Sequence, residues 1–162
     1  MRQWLVAGAV IEGPEGLLLV QNRRRDGRLD WSPPGGVVDP GESVIGGLTR
    51  EVAEETGLVV SSWLGPIYEI DAVAPDLGWR LRVEVHQAVE VSGDLVIDDP
   101  DGIVVDARYV AAISCADHLA GAAPWVREPF HAWVGERWDG SRSFRYHVEG
   151  TDPTSLRVSP VT

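Results

Sequence analysis

The chain has 162 residues, enough for one domain with a substantial core, and its 44% hydrophobic and 24% charged residues are ordinary globular values. The formal net charge of −11 argues against stable nucleic-acid binding, and the absence of lysine excludes a lysine nucleophile. No apolar run reaches the ~18 residues that span a bilayer, and Cys115 is the only cysteine, so we expect a cytoplasmic protein without disulfides or membrane contact.

The first third of the chain contains short β-rich runs and a loop. Residues 5–11 and 17–20 are separated by a segment rich in glycine and proline, which predicts a hairpin. Three arginines follow at positions 23–25. Two prolines and two glycines in residues 31–36 exclude a helix interior there.

A helix is predicted to begin near Ser43. The apolar residues Ile45, Leu48 and Val52 recur at helical spacing, so we expect them to face the core together. Gly57 follows the last periodic residues, at the position of a C-terminal cap.

The remaining chain alternates between strand-like and helix-like segments. Strands are predicted at residues 63–73, 79–91, 103–110, 144–148 and 156–158, and helices at 111–119 and 124–138. These elements predict an α+β sandwich. We expect residues 1–162 to form a single domain, with a core of about 3–138 and a C-terminal helix and strand extension of about 124–162.

Three glutamates share the side of the predicted helix opposite its apolar residues. Glu51, Glu54 and Glu55 lie three and four residues apart, so their carboxylates are neighbours and repel one another. A hard cation such as Mg²⁺ relieves that repulsion. Arg50 precedes Glu54 by four residues and is placed to orient it, while Glu42 at the helix entrance can reach back toward Arg50. For Glu54 and Glu55 alone, a solvated acidic face is the alternative.

Nine fixed positions in residues 36–58 combine these features into one pattern: a glycine, five residues, a glutamate, seven residues, then Arg-Glu-apolar-any-Glu-Glu-any-Gly-apolar. This stretch resembles the signature box of the Nudix (MutT-like) hydrolase family at every defining position. The resemblance implies a Nudix-type α/β/α sandwich with a mixed central sheet and a loop–helix–loop catalytic motif. It also implies hydrolysis of a nucleoside diphosphate linked to another group X, with Mg²⁺ as cofactor and Mn²⁺ as a possible substitute.

The resemblance also implies roles for individual residues. Glu51, Glu54 and Glu55 become metal ligands, together with the backbone carbonyl of Gly36, and Arg50 and Glu42 order the cluster. The implied catalytic residues are Glu54, Glu51 and Arg50.

An acidic loop at residues 93–102 is the candidate source of a further metal ligand or general base. It contains Asp94, Asp98, Asp99 and Asp101, and we expect Asp99 or Asp101 to complete the metal site. A solvated turn rich in aspartate and glycine is the alternative.

Candidate substrate contacts are spread along the chain. Among the three arginines, Arg23 is the first choice to bind phosphate, although a solubilising strand end explains them equally well. Trp31, Tyr68 and Trp79 are candidates to stack on a base, with core packing as the alternative. The predicted substrate-binding residues are Arg23, Glu42, Tyr68 and Trp79.

The box indicates the reaction but leaves X open. We favour a nucleoside triphosphate on family analogy, while Pro75, seventeen residues after Leu58, keeps ADP-ribose or a nucleotide sugar open. Two other classes remain: a non-catalytic Nudix-fold ligand sensor, whose members lose box glutamates, and an isoprenoid diphosphate isomerase, whose catalytic cysteine has no match in Cys115. The expected partner is a small nucleotide, and a homodimer stays open because large aromatics follow Pro124.

Overall fold

The computed structural model describes residues 1–162 as two β-sheets with helices packed around them. The α-helices are α1 (Val44–Thr56), α2 (Cys115–His118) and α3 (Pro124–Glu136), and single 3₁₀ turns flank α2. The strands are β1 (Arg2–Val10), β2 (Glu12–Gly13), β3 (Gly16–Arg23), β4 (Leu29–Ser32), β5 (Gly35–Val37), β6 (Val59–Ala74), β7 (Trp79–Ser92), β8 (Val104–Val110), β9 (Arg142–Glu149) and β10 (Arg157–Val161). No helix combines the length and apolar character needed to cross a membrane.

The larger sheet is mixed, as the predicted architecture requires. Its strand order is β10-β9-β6-β7-β1-β5, in which β1 runs parallel to β7 and β6 runs parallel to β9. Its other pairs are antiparallel. The smaller sheet contains β2, β3 and β4 in order, with β8 antiparallel to β3.

The predicted hairpin between residues 5–11 and 17–20 is wrong as a pairing of two full strands. Only its tip forms, where Glu12 pairs with Leu17 and Gly13 with Gly16. β1 instead directs its backbone hydrogen bonds to β7, over nine register pairs, and to β5. The two runs therefore diverge into different sheets after the turn.

Helix α1 is capped at both ends, and its C-terminal cap is the predicted Gly57. The Ser43 hydroxyl accepts a hydrogen bond from the Gly46 N–H at 2.9 Å, and Gly57 adopts a left-handed conformation with φ of 79°. Leu48 and Val52 are fully buried, but Ile45 is 38% exposed, so its predicted place in the core is wrong. The buried stripe of α1 is centred nearer Leu48 and Glu55, which leaves Ile45 at its margin in the first turn.

Two apolar layers lie on opposite sides of the sheets. Helix α1 covers one layer, which contains Ala7 and Ala9 of β1, while α2 and α3 cover the other. Strand β3 contributes to both, because Leu18 points into the α1 layer and Leu17 and Leu19 into the opposite one. This is a sandwich of helices around β-structure, in which Leu48 and Val52 of α1 pack against β1 and β6.

The aromatics after Pro124 contribute mainly to the core. Phe130 and Trp133 of α3 are buried, and the Trp138 indole N–H donates to the Ile67 carbonyl at 2.7 Å. Tyr146 of β9 is buried in the same layer. Core packing, rather than an exposed aromatic surface, accounts for these side chains.

Candidate active site

The C-terminal half of α1 places its glutamates against the β5 edge of the larger sheet. A Cβ atom on Gly36 would lie 2.5 Å from the Glu51 carboxyl carbon, so a larger residue there would displace that carboxylate. The Gly35 N–H points to Glu55 Oε2 at 3.4 Å. The Pro-Gly-Gly entry of the box is thus the surface on which two of the three glutamates rest.

Arg50 connects the acidic residues around it. Its Nε and Nη2 atoms each lie 2.8 Å from a Glu42 carboxylate oxygen, and Nη1 donates to Glu51 at 3.1 Å and to Glu54 at 3.3 Å. Asp39 lies 3.3 Å from Nη2. The Arg50 hydrogen bonds, helped by the Asp39 N–H, lower the pKa of Glu42 to about 2. Glu42 therefore anchors Arg50 at the helix entrance, with both carboxylate oxygens already in use.

Two of the remaining box glutamates, Glu51 and Glu55, have a pKa that their surroundings raise above the ordinary value. The pKa of Glu55 is raised to about 9, chiefly by burial and also by the neighbouring charges of Glu51 and Asp99. The hydrogen bond from the Gly35 N–H acts in the opposite direction and lowers it. Burial also raises the pKa of Glu51, which Arg50 partly offsets. Perturbed carboxyl groups of this kind cluster at functional sites, because a purely structural helix gains nothing from collecting them.

The acidic loop between β7 and β8 approaches the same glutamates. Asp99 accepts hydrogen bonds from the backbone N–H groups of Asp101, Ile103 and Val104 at 3.2, 3.1 and 2.9 Å, so its carboxylate organises the loop. The Asp101 carboxylate makes no hydrogen bond within the protein, and its charge raises the pKa of Glu51. Of the two loop acids expected to complete the metal site, Asp101 is therefore the one that remains available to a ligand.

A cavity of about 710 Å³ opens beside the acidic cluster. The box residues Arg50, Glu51, Glu54 and Glu55 line one end, together with Asp99 and Asp101. Its floor is apolar and is contributed by β6 and β7, and its walls come from β3, β4 and the start of α3. Both the volume and the mixture of an apolar floor with a few polar groups are typical of small-molecule sites.

Only some of the predicted substrate contacts line this cavity. Tyr68 is buried at its floor, whereas Arg23 and Trp79 do not line it. Arg24 lines the cavity in place of Arg23, and Trp125 in place of Trp79, which packs edge-on against Trp125 at 5.8 Å between ring centroids. Glu42 lies outside the cavity, bound to Arg50.

The sequence contained a signal for one of these missed residues. Asn22 and Arg24 are two residues apart at the end of a strand-like run, so they share a face that Arg23 does not share. Trp125 carried no such signal, because its place depends on how α3 packs over the sheet. Trp31 packs edge-on against His118, 5.4 Å away between ring centroids, and does not line the cavity.

The donor chemistry of the site suits a hard divalent cation, although the side chains are not gathered as ligands. No three acidic, histidine or cysteine side chains are arranged to surround one ion. Arg50 Nη1 instead lies within hydrogen-bonding distance of both Glu51 and Glu54. The fit to a cation rests on two observations: the oxygen atoms of the three carboxylates, two of which, Glu51 and Glu55, have a raised pKa, and the close approach of the Gly36 backbone to the Glu51 carboxylate.

Comparison with protein families and curated proteins gives matches centred on the same fold. A family profile described as the NUDIX domain matches residues 2–134. The 8-oxo-dGDP phosphatase NUDT18 of Homo sapiens is 36% identical over 55 residues, which cover 34% of this chain and 17% of that protein. The matched region thus spans less than a fifth of that relative's length.

Solved structures agree over a larger part of the chain. A MutT NUDIX hydrolase from Burkholderia pseudomallei is 25% identical with a TM-score of 0.61, covering 70% of this chain and 86% of that one. A MutT protein from Bacillus halodurans is 19% identical with a TM-score of 0.66, covering 96% of this chain and 97% of that one. The second likeness shows the fold, which includes the strands after residue 134.

Proposed function

The chain belongs to the NUDIX family and is a hydrolase of pyrophosphate bonds, and we propose that it uses a divalent cation to cleave the diphosphate linkage of a nucleoside triphosphate. The observation that carries the proposal is that Glu51, Glu54 and Glu55 all line one cavity, which is large enough for a nucleotide. Mg²⁺ is the proposed cofactor, with Mn²⁺ as a substitute, because both prefer oxygen ligands.

Glu51, Glu54, Glu55 and the Gly36 carbonyl would hold the cation. When bound, such a cation neutralises phosphate charge and lowers the pKa of coordinated water. The chain's own contribution begins with Arg50, which restrains Glu51 and Glu54 from one side while Glu42 fixes the guanidinium. Glu51, Glu54 and Arg50 are the proposed catalytic group on this basis.

Proton transfer requires a carboxylate oxygen that is not already engaged. Asp101 lines the cavity with a carboxylate that makes no protein hydrogen bond, whereas Asp99 uses both of its oxygens to support the loop. We assign Asp101 as the first candidate to accept the proton from the attacking water, and Glu54 as the second, because Arg50 occupies only its Oε2 atom. In this assignment Asp99 contributes indirectly, because its hydrogen bonds to the loop backbone hold Asp101 in position.

A nucleoside triphosphate is preferred as substrate over ADP-ribose. The human relative, which matches over a limited region, is named as a phosphatase of 8-oxo-dGDP, a nucleoside diphosphate, and this supports a simple nucleotide over ADP-ribose. Pro75, the feature that kept ADP-ribose open, lies exposed in the turn after β6 and does not line the cavity. ADP-ribose and nucleotide sugars are therefore comparison substrates in the test.

The test is a panel of nucleoside triphosphates, nucleoside diphosphates, ADP-ribose and nucleotide sugars, assayed with Mg²⁺, with Mn²⁺ and with a chelator. We expect turnover of the triphosphates only with a divalent cation, and a loss of roughly 100-fold or more in kcat for Glu54→Gln. Glu69→Gln is the matched control, since Glu69 is an exposed glutamate of β6 outside the cavity. Nucleotide binding without turnover of any substrate would instead identify a ligand sensor.

A further inference from the structure

Four polar side chains of β3, β4 and the loop after β3 form a network in the cavity wall. Asp30, whose side chain is 7% exposed, accepts two hydrogen bonds of 2.8 Å from Nε and Nη2 of Arg24. Asn22 Nδ2 donates to Asp30 at 3.2 Å and to the Ser32 hydroxyl at 2.9 Å. Asn22, Arg24 and Ser32 all line the cavity, and Asp30 connects them from behind.

The network leaves a defined set of hydrogen-bonding atoms for a ligand. The orientation of the Asn22 amide is fixed, because a carboxylate only accepts hydrogen bonds and Nδ2 must therefore face Asp30. Oδ1 of Asn22 then has no partner in the protein, and neither does Nη1 of Arg24, nor the hydroxyl hydrogen of Ser32. The cavity wall thus offers one acceptor and two donors.

The charge of Arg24 is largely neutralised, which argues against a role as a simple phosphate clamp. Its guanidinium is paired bidentately with a buried carboxylate, and such a pair presents directed N–H groups rather than a free positive charge. Arg28 approaches the same carboxylate only to 3.9 Å, and its side chain is 60% exposed, so solvent screens that charge. A neutral polar group whose donors and acceptors match these atoms is therefore a better ligand for this wall than a phosphate.

The floor beside the network suits a flat ring. Ile70 and Val83 are opposed in the pairing of β6 with β7, and both line the cavity together with Leu81. Trp125 closes this side from the first turn of α3, braced by Trp79. A planar group with apolar faces and polar atoms on its edge would contact both the apolar floor and the polar wall. A nucleobase has this form.

We infer that Asn22, Arg24 and Ser32 read the edge of a 6-oxopurine base, and that Asp30 is the positioning residue which fixes their orientation. A 6-oxopurine offers a carbonyl oxygen and N7 to the donors of Arg24 and Ser32, and its N1–H to Oδ1 of Asn22. Adenine places an amino donor where the purine carbonyl would accept from Arg24. The inference rests on the proposed nucleotide substrate and adds the identity of its base.

Binding of three product-like probes tests this independently of turnover. GMP, AMP and ribose 5-phosphate share the phosphate but differ in the base, and their Kd values are measured by calorimetry. The wild-type protein is expected to bind GMP about 10-fold more tightly than either other probe. Asp30→Asn, which keeps the side-chain shape, is expected to weaken GMP binding about 10-fold and to leave ribose 5-phosphate unchanged.

Two further variants keep the test decisive. Asp71→Asn breaks a similar bidentate pair, with Arg80, that does not line the cavity, and it is expected to change none of the three Kd values. Arg24→Met changes a partly exposed side chain, and it is expected to weaken GMP binding as Asp30→Asn does. It serves as the test variant should Asp30→Asn fold poorly. Equal weakening of all three probes, or a wild-type protein without base preference, would overturn the inference. Base-selective binding without hydrolysis of any nucleotide would overturn the proposed function alone.

Discussion

Glu55 is the buried member of the glutamate cluster, with 7% of its surface exposed. Its pKa is raised to about 9 in the folded protein, chiefly by burial, whereas a solvated glutamate titrates near 4.5. The folded state therefore retains a proton that the unfolded state loses between these two pH values. Stability from this group is complete below about pH 4.5 and is lost as the pH rises toward 9.

We expect Glu55→Gln to flatten this pH dependence in the cation-free protein. The variant cannot ionise, so it should be more stable than the wild type at pH 8.5, by a margin that shrinks toward pH 5 at up to about 1.4 kcal/mol per pH unit. Urea unfolding in the presence of a chelator measures the difference, with the exposed Glu69→Gln as control. An identical pH slope in wild type and Glu55→Gln would show that Glu55 is ionised when folded.

At the scale of one element, the loop–helix–loop of residues 35–58 depends on close approach at both of its ends. Gly57 ends α1 in a left-handed conformation, and a Cβ there would lie 2.9 Å from the Asp94 carbonyl oxygen. The Thr56 carbonyl accepts a hydrogen bond from the Val96 N–H at 2.9 Å. The end of the helix is thus the support for the acidic loop that carries Asp101.

We expect Gly57→Ala to destabilise the protein by more than the cost of placing an alanine in a left-handed conformation, because the added Cβ also meets the acidic loop. The left-handed conformation costs an alanine roughly 1–2 kcal/mol. Gly41 has a similar φ of 87°, but a Cβ added there would meet nothing within 4 Å, so Gly41→Ala isolates that backbone cost. The free energy of unfolding, measured in urea, should therefore be lower for Gly57→Ala than for Gly41→Ala. Equal losses of stability would show that the acidic loop shifts to accommodate the alanine without an energetic cost.

The same element shows how far sequence reasoning reaches. Its helix, the C-terminal cap at Gly57 and the burial of Leu48 and Val52 followed from periodicity and cap chemistry, because these are local properties. Ile45 did not, because the stripe that a helix buries is set by the sheet beneath it. The predicted hairpin failed for a related reason, since β1 found a longer partner in β7, far along the chain.

The residues of the candidate site likewise fall into those that local sequence predicts and those that tertiary packing places. The box glutamates and Arg50 lie within one short segment, so their spacing specified their grouping. The cavity is instead lined by residues of β3, β4, β6, β7 and α3, and the choice of Arg24 over Arg23 and of Trp125 over Trp79 follows from how these elements pack. Strand alternation alone would have favoured Arg24 once Asn22 was known to face the cavity.

At the scale of the whole molecule, β9 and β10 extend the larger sheet beyond the region that the family profile matches. β9 runs parallel to β6 from Tyr68 onward and lies directly beside this floor strand in the same sheet. Tyr146 and Val148 of β9 are buried, and Phe144 packs edge-on against Tyr68. We therefore propose that residues 1–162 fold as one cooperative unit rather than as a catalytic core with a detachable extension.

Truncation distinguishes these two arrangements. A chain ending at residue 140 loses the burial of Tyr146 and Val148 and leaves the β6 edge unpaired, so we expect Tm to fall by about 10 °C or more. A chain ending at residue 151 loses only β10, which pairs with β9 alone at the sheet edge, and should melt much closer to the full chain. Calorimetry measures both, and a single transition is expected for the full chain because the floor of the cavity and the last strands share one apolar layer. A 1–140 chain with an unchanged Tm would show that the extension is dispensable to the fold.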